Sequence, residues 1–228
     1  MKTLPLIVWL TACGTSESGS LLTTGISAEM TAVTTGNGST RVTAELFEGN
    51  PDQLIFVDLQ AGDSLVADVN GRSMTLAKAQ LLTIIDYEAV FPTGTEGDQF
   101  NVDFQRTVDS GAPASTATLP AAFTLDPVAM SYTRTSPITM TYGPSGTSDT
   151  MGWQASGACI QVVTGALPSD SGTITIPANM LVATAGATSC TVTLSVTRDR
   201  RGSLDSHFGK GGQILGEQAR TTTITSTP

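Results

Sequence analysis

The sequence predicts an all-β protein with two β-sandwich domains in tandem, and three observations support this. Thr, Ser, Gly and Val are abundant while strong helix formers are scarce, a composition typical of many short strands joined by turns. Apolar and polar residues alternate with period two, as in half-buried strands. Turn-forming clusters separate these segments at regular spacing, which favours sandwiches over alternating strands and helices.

Alternating segments run through both halves of the chain. In the first half they lie at 42–46, 55–59, 65–69, 87–91 and 100–104, with a last strand near 117–119. Turns are expected at 49–52, 61–63 and 70–71, a loop at 110–115, and one or two helical turns within 76–85. In the second half the strands are expected at 138–142, 151–155, 174–176, 190–196 and 213–225.

Charge divides the chain near residue 119. Residues 25–119 carry thirteen Asp and Glu against four Lys and Arg, whereas residues 120–228 carry six of each. Pro120 and Pro127 stiffen the connection between them. We therefore expect an acidic sandwich at 25–119 and a second sandwich at 120–228. The net charge of −9 argues against nucleic acid as a partner, because phosphates call for a basic surface.

The first residues have the parts of a secretory signal: Lys2, an apolar run from Leu4 to Leu10, and small residues before Cys13. Leu10-Thr11-Ala12-Cys13 resembles the lipobox of bacterial lipoproteins. The resemblance implies that residues 1–12 are a removed signal peptide and that Cys13 carries lipid. An ordinary signal peptide, or a chance apolar start with a structural cysteine, remains the alternative.

The lipobox resemblance also implies a location and an attachment. Residues 13–24 would be the lipidated cysteine and a flexible Ser/Gly tether, and the membrane would be a partner through the lipid. Gly14, in place of the aspartate that holds lipoproteins at an inner membrane, favours an outer-membrane lipoprotein of a bacterial envelope. No apolar run reaches the roughly 20 residues that span a bilayer.

With Cys13 lipidated, Cys159 and Cys190 remain as a pair in an oxidising compartment, which predicts a disulfide between them. Two free thiols are the alternative. The second half resembles immunoglobulin-like and fibronectin type III-like sandwiches of bacterial surface proteins. The resemblance rests on strand style at 138–142, Trp153, 173–177 and 190–197. Because Trp153 precedes the first cysteine, an antibody-type disulfide with its core tryptophan is not indicated.

No motif predicts an enzyme or a cofactor. His207 is the single histidine, so a zinc site lacks ligands, and a catalytic set with Ser203, Asp205 or Ser206 would need a geometry rare among sequence neighbours. The stretch 209–212 lacks the phosphate-loop pattern and is expected to be a turn. The basic cluster 198–201 is expected to close a strand at a hairpin tip, where it would meet an acidic partner or the acidic first domain.

Carboxylates of the first domain are the remaining chemical candidates. Asp58, Asp63 and Asp68 recur every five residues and are weak candidates for calcium, although no calcium-loop motif is present. A glycosidase that uses two of the first-domain carboxylates is an alternative, although nothing in the sequence selects the pair.

The sequence thus predicts a lipid-anchored envelope protein with a binding, adhesion or structural role towards an unknown protein or carbohydrate. A carbohydrate-active enzyme and a calcium-dependent adhesin are the alternatives.

Overall fold

The computed structural model describes residues 14–60, 62–184 and 186–228. Residues 1–12, the predicted signal peptide, and Cys13 lie outside these residues, so the lipobox stays a prediction. Among the residues described, no helix is long and apolar enough to cross a bilayer.

The described chain is built from strands, with three short 3-10 helices at Ser18–Ser20, Thr23–Gly25 and Pro51–Gln53. The first half contributes β1 Gly14–Glu17, β2 Ile26–Thr34, β3 Thr40–Glu48, β4 Ile55–Asp58, β5 Ser64–Val69, β6 Arg72–Thr75, β7 Ala77–Leu81, β8 Ile84–Phe91, β9 Gln99–Gln105 and β10 Ala112–Thr118. The second half contributes β11 Thr124–Leu125, β12 Ser131–Thr133, β13 Ile138–Gly143, β14 Thr150–Gly157, β15 Val163–Leu167, β16 Thr173–Ile176, β17 Cys190–Arg201 and β18 Gln213–Thr227. The all-β prediction is confirmed, and a strand lies at every alternating segment.

Eleven strands form one sheet, in which β1, β4, β3, β2, β18, β17, β14 and β15 follow one another from edge to edge. β3 pairs with β2 on one side. On its other side, residues 40–44 of β3 pair with β8 and Phe47 pairs with β4, and β7 pairs with the outer edge of β8. β12 pairs with β18. A four-stranded sheet, in the order β10, β9, β5, β6, covers the first half of the large sheet. A three-stranded sheet, β11, β13 and β16, covers the second half.

Two hydrophobic cores fill the space between these layers. The first is rich in phenylalanine, with ring centroids 4.9 Å apart for Phe47 and Phe56 and 5.5 Å apart for Phe91 and Phe100. The second is built on valines of β17 with Met140, Met151 and Trp153. Alternation explains both cores, because every second residue of these strands faces inward.

One long hairpin belongs to both cores. β17 and β18 pair from Cys190 with Ser226 to Arg201 with Leu215, so the two strands run past both halves. The start of β18 also pairs in parallel with β2. Ile214 and Phe208, which the expected boundary near residue 119 would assign to the second domain, pack in the first core. At about 3.3 Å per residue, the 15 residues of β18 span roughly 50 Å.

Local expectations fail in three places. Residues 14–17 are a strand parallel to β4 rather than a flexible tether, and Ser18 is fully buried, because a long-range pairing outweighs the Ser/Gly composition. The segment 76–85 forms the β7–β8 hairpin instead of helical turns, since β8 pairs with β3. The loop expected at 110–115 becomes strand from Ala112 onward, paired with β9.

Candidate functional site: two apolar ends and a carboxylate row

Strand register places several chain segments at one end of the large sheet, which we call the near end. Ile26 pairs with Glu48 and Phe56 pairs with Phe47, so β2 and β4 both begin where β3 ends. Gly14 pairs with Ile55, so β1 begins there as well. The first described residue therefore lies at the near end.

The tip of the β7–β8 hairpin lies at the near end too. β8 is antiparallel to β3, with Tyr87 opposite Ala44. Ile84 comes three residues earlier in β8, on the side of Tyr87 that faces the end of β3. Leu81 pairs with Ile84, and the two residues between them form the turn.

Backbone and side-chain hydrogen bonds bring further loops to this end. The amide of Gly49 donates to the carbonyl of Gly25 at 2.8 Å, and that of Gly209 donates to the carbonyl of Ile26 at 2.7 Å. The amide of Thr23 donates to the carboxylate of Asp109 at 2.6 Å, which attaches the loop after β9. The near end is thus formed by residues 21–25, 49–54, 81–84, 106–111 and 206–212.

Exposed apolar side chains concentrate at the near end. Of the eleven large apolar residues exposed in the described part of the chain, six lie there. We call them the near-end apolar set: Leu22, Leu54, Leu81, Leu82, Ile84 and Val108. At the opposite end of the same sandwich, the described loops 35–39, 70–71 and 92–98 contain none of the eleven. Loop position alone therefore does not account for this exposure.

Two residues of the near-end apolar set have left-handed backbone. Leu54 has φ 52° and Leu82 has φ 57°, whereas Asn70 and Asn179, the other non-glycine residues with positive φ in the described chain, are of a type that tolerates it. Left-handed backbone costs a leucine about 1–2 kcal/mol. Leu82 is also 87% exposed, so packing does not offset this cost. Leucine at position 82 is therefore unfavourable both for the backbone conformation and for exposure to water.

The far end, where β18 finishes and β17 begins, carries a smaller group. Cys159 and Cys190 are joined there by a disulfide. The amide of Gln161 donates to the carbonyl of Val182 at 2.9 Å, and that of Thr225 donates to the carbonyl of Met130 at 2.8 Å. Four of the eleven exposed residues lie here, and we call them the far-end apolar set: Met130, Val162, Met180 and Val182.

Between the ends, the outer face of the large sheet carries a carboxylate row. Glu29 pairs with Glu45 across β2 and β3, and Asp86 of β8 is the next residue across the sheet. With two threonines they line an open cleft of about 300 Å³. Burial, together with a hydrogen bond to Asp86 and repulsion from Asp86 and Glu29, raises the pKa of Glu45 to about 7.

Asp86 and Glu45 lie within hydrogen-bonding reach of each other. Oδ1 of Asp86 is buried and has no hydrogen-bond partner in the described structure. Glu45 is half protonated near pH 7. Further along the sheet, Asp199 pairs with Glu217, and burial together with Asp199 raises the pKa of Glu217 to about 7. The row can therefore hold protons at neutral pH.

The structure separates the calcium candidates. Asp58 accepts from Lys78 at 2.7 Å, Asp63 from Arg106 at 3.3 Å, and Asp68 from the hydroxyl of a nearby serine at 2.9 Å. Each carboxylate is thus occupied by its own donor. Among the residues described, no three His, Cys, Asp or Glu side chains are grouped so that they could hold a metal.

The loop that contains His207 forms part of the catalytic set considered in the sequence analysis. Nδ1 of His207 lies 2.7 Å from Oδ1 of Asp205. Although burial opposes it, hydrogen bonds from His207 and Ala114 lower the pKa of Asp205. No serine hydroxyl contacts the imidazole in the described structure, so a histidine–aspartate pair is present without a nucleophile. Residues 209–212 lie in the turn between β17 and β18.

The basic cluster 198–201 lies within β17 and not at a hairpin tip. Arg198 is fully buried and contacts Asp170 at 3.0 Å, and its guanidinium lies 5.0 Å from the ring centroid of Phe123. Arg200 binds Asp149 through two nitrogens, at 2.8 and 2.9 Å. Both acids belong to the second half, so these arginines stabilise that half and leave only Arg201 exposed.

Sequence reasoning missed the near-end apolar set, although one signal was available. Leu22 and the Leu81–Leu82 pair lie outside the alternating segments. A search for apolar residues outside the alternating pattern would have found them.

Comparison with known proteins leaves the family open. No protein family and no curated protein matches the chain. Distant likenesses exist among solved structures. A biofilm associated protein, BSP domain, is 13% identical at a TM-score of 0.27, covering 89% of this chain and 30% of that chain. A cytokine receptor complex is 12% identical at 0.28, covering 86% and 94%. Bacteroides ovatus SGBP-B of a mixed-linkage glucan utilization locus, in complex with a mixed-linkage heptasaccharide, is 14% identical at 0.24, covering 89% and 59%. This chain spans less than a third of the first of these structures.

Proposed function

We propose that this protein is a lipid-anchored binding protein of a bacterial envelope, attached through Cys13 and engaging a partner protein at its far end. The observation that carries the proposal is the far-end apolar set. Met130 is 86% exposed and Val162 is 64% exposed, at the end opposite Gly14. Exposed apolar clusters on otherwise polar proteins are typical of interaction surfaces, and methionine adapts to varied partners.

The long hairpin supports this role mechanically. Since β18 contributes Ile214 to the first core and Ile224 to the second, and pairs with β17 along twelve residues, the far end is held at a fixed distance from the near end. The disulfide closes the 31-residue separation between Cys159 and Cys190 at that end. A covalently closed loop presents its side chains with less conformational entropy to lose on binding. The far end is therefore suited to display.

Cross-linking on intact cells tests the far end. We expect Val162→Ser with Val182→Ser to reduce the cross-linked partner at least tenfold, because both side chains lose the apolar area that binding would bury. Val90→Ser is the matched control, since Val90 is 47% exposed on the sheet face away from both ends. An unchanged cross-link pattern in the double variant would contradict the proposal.

Membrane fractionation tests the anchor separately. We expect Cys13→Ser to release the protein from membranes, while the bond between Cys159 and Cys190 persists. Persistence of residues 1–12 on the mature chain would contradict the lipoprotein role.

A carbohydrate-active enzyme is a second candidate, favoured by one observation. Glu45, with its pKa raised to about 7 beside Asp86, has the protonation of a general acid at neutral pH. Hydrolysis of envelope glycans that Glu45→Gln abolishes and Glu17→Gln preserves would support this activity. Its absence with purified protein and a panel of envelope glycans would reject it.

A further inference from the structure

We infer that the near end is a membrane-contacting surface, in which the near-end apolar set inserts between the headgroups of a lipid bilayer. The inference rests on the proposed anchor at Cys13 and adds to it a second, non-covalent attachment made by the folded protein. It explains a group of exposed side chains that the proposed partner binding at the far end does not use.

The first argument is distance. Gly14 follows Cys13 directly and is already paired with Ile55 in the sheet, so a lipid on Cys13 begins one residue from the folded structure. One residue of extended chain spans at most about 3.6 Å. A flexible tether would have allowed the protein to stand away from the bilayer. The ordered strand β1 instead brings the near end against the headgroups.

The second argument is the distribution of exposed apolar residues. The near-end apolar set comes from four separate segments, at 22, 54, 81–84 and 108, which the strand pairings and the Thr23–Asp109 hydrogen bond bring to one end of the sandwich. Leu82 and Leu81 are the most exposed of the set, at 87% and 72%. Several apolar side chains projecting from one end match the shallow insertion of interfacial anchors, which bury apolar area about 5–10 Å into the headgroup boundary.

The third argument is the conformation of Leu54 and Leu82. Both hold left-handed backbone, where asparagine or glycine would be favoured. The opposite end of the same sandwich uses Asn70 and Gly71 in a comparable two-residue turn, which connects β5 and β6. An unfavourable residue type kept at an exposed turn points to a role outside the fold.

Charge at the near end is compatible with a bilayer. Lys210 is exposed there, and the ring of His207 is half exposed. Asp52 is the exposed acid of the 3-10 helix between β3 and β4, and Asp109 is paired with Arg106 at 3.7 Å. The carboxylate row lies on the outer face of the sheet, with Glu29 and Glu45 three residues back from Ile26 and Glu48. Attachment would therefore depend on apolar insertion rather than on attraction to anionic lipids.

Fluorescence at single labelled sites tests the inference. Lipidated full-length Leu82→Cys and Asn37→Cys, each labelled with an environment-sensitive dye, would be reconstituted into phosphatidylethanolamine–phosphatidylglycerol vesicles. Asn37 is exposed in the loop between β2 and β3, at the opposite end of the same sandwich. We expect vesicles to raise the emission at position 82 several-fold, with quenching by nitroxide lipids, and to leave position 37 unchanged.

Three results would overturn the inference. One is a position 82 that stays in water on vesicle-bound protein, and another is equal immersion of both positions, which would mean that the protein lies on its side. The third is a dye at position 82 that is already shielded without vesicles in a dimer, which would assign the near end to a second copy. Protein that fails to float with vesicles would refute the lipid anchor itself, and with it the inference; floating protein with position 82 in water refutes the inference alone.

Leu82→Asn provides a second measurement that misfolding cannot imitate. Asparagine tolerates the left-handed backbone of this turn, so we expect an equal or higher melting temperature. Desorption of the lipidated protein from the same vesicles should become roughly tenfold faster, because one buried leucine side chain is lost from the interface. Val90→Ser should desorb at the original rate. Equal desorption of Leu82→Asn and the unaltered protein would contradict the inference.

Discussion

The two halves of the molecule are held together by different interactions. The first core is a stack of apolar layers, with the rings of Phe104 and Phe208 parallel at a centroid distance of 5.7 Å. Each half contains a buried ion pair, Arg106 with Asp63 in the first and Arg198 with Asp170 in the second. The second half adds a disulfide at the far end. The smaller second core, with fewer aromatic residues, is thus the one that has a covalent cross-link.

The buried ion pair of Arg198 with Asp170 depends on several further hydrogen bonds. Tyr142 donates to Asp170 at 2.8 Å, and Arg198 donates to the carbonyls of Ala121 and Pro144 at 2.8 and 2.7 Å. Although burial opposes it, hydrogen bonds from Thr147 and Tyr142, together with Arg198, lower the pKa of Asp170. Nε of Arg198 has no hydrogen-bond partner in the described structure, so one donor of this network is unsatisfied.

Removing Arg198 should have the largest effect on this comparison. We expect Arg198→Met to lower the free energy of unfolding by about 3–5 kcal/mol, because Asp170 would remain as an uncompensated buried charge. Urea denaturation measures the loss, and Arg201→Ala is the exposed control within β17. Combining Arg198→Met with Asp170→Asn should recover part of the stability. A double variant as unstable as the sum of both singles would show that the two side chains do not act as a pair.

Breaking the disulfide should come second. We expect Cys159→Ala with Cys190→Ala to lower the free energy of unfolding by about 2–4 kcal/mol, mainly because the unfolded chain gains conformational entropy without the cross-link. Since β17 starts at Cys190 and pairs with β18, which also pairs with β2 of the first half, the loss should speed hydrogen exchange in β9 as well as in β14. Faster exchange confined to β14 would show that the halves unfold independently.

A conservative change in the aromatic core should have a smaller effect. We expect Phe100→Leu to lower the free energy of unfolding by about 1–2 kcal/mol, because Phe100 is fully buried against Phe91 and part of its contact area is lost. Thermal unfolding measures this. A cost larger than that of Arg198→Met would reverse the comparison between the two halves.

The smallest expected effect depends on pH. Folded Glu217 has its pKa raised from 4.5 to about 7 by burial and Asp199, so its stabilising contribution is present below pH 4.5 and lost as the pH rises through 7. We expect Glu217→Gln to be about 1 kcal/mol more stable than the unaltered protein at pH 8, and nearly equal to it at pH 4. Glu17→Gln, at an exposed site, is the control. The same gain at both pH values would show that ionisation is not the cause.

The strands were predictable because alternation is local, as in β3 and β9. The near-end apolar set was not, since Leu22, Leu54 and Leu82 become neighbours only through pairings between β2, β3, β4 and β8. The same holds for residues 14–17, whose composition predicts a tether until β4 offers an edge. Arg198 illustrates a third limit. Its charge predicts an exposed residue, whereas its position in the alternation of β17 predicts a buried one, and it is buried.

The parallel pairing of β18 with β2 sets the order in which the protein can be completed during synthesis. β2 is made early, and its neighbour on one side is the last strand of the described chain. Until that strand is available, the nascent first half has an open edge beside β2 and lacks Phe208 and Ile214. The first half is thus completed only after residues 208–218 have been translated, so both halves reach the native state together.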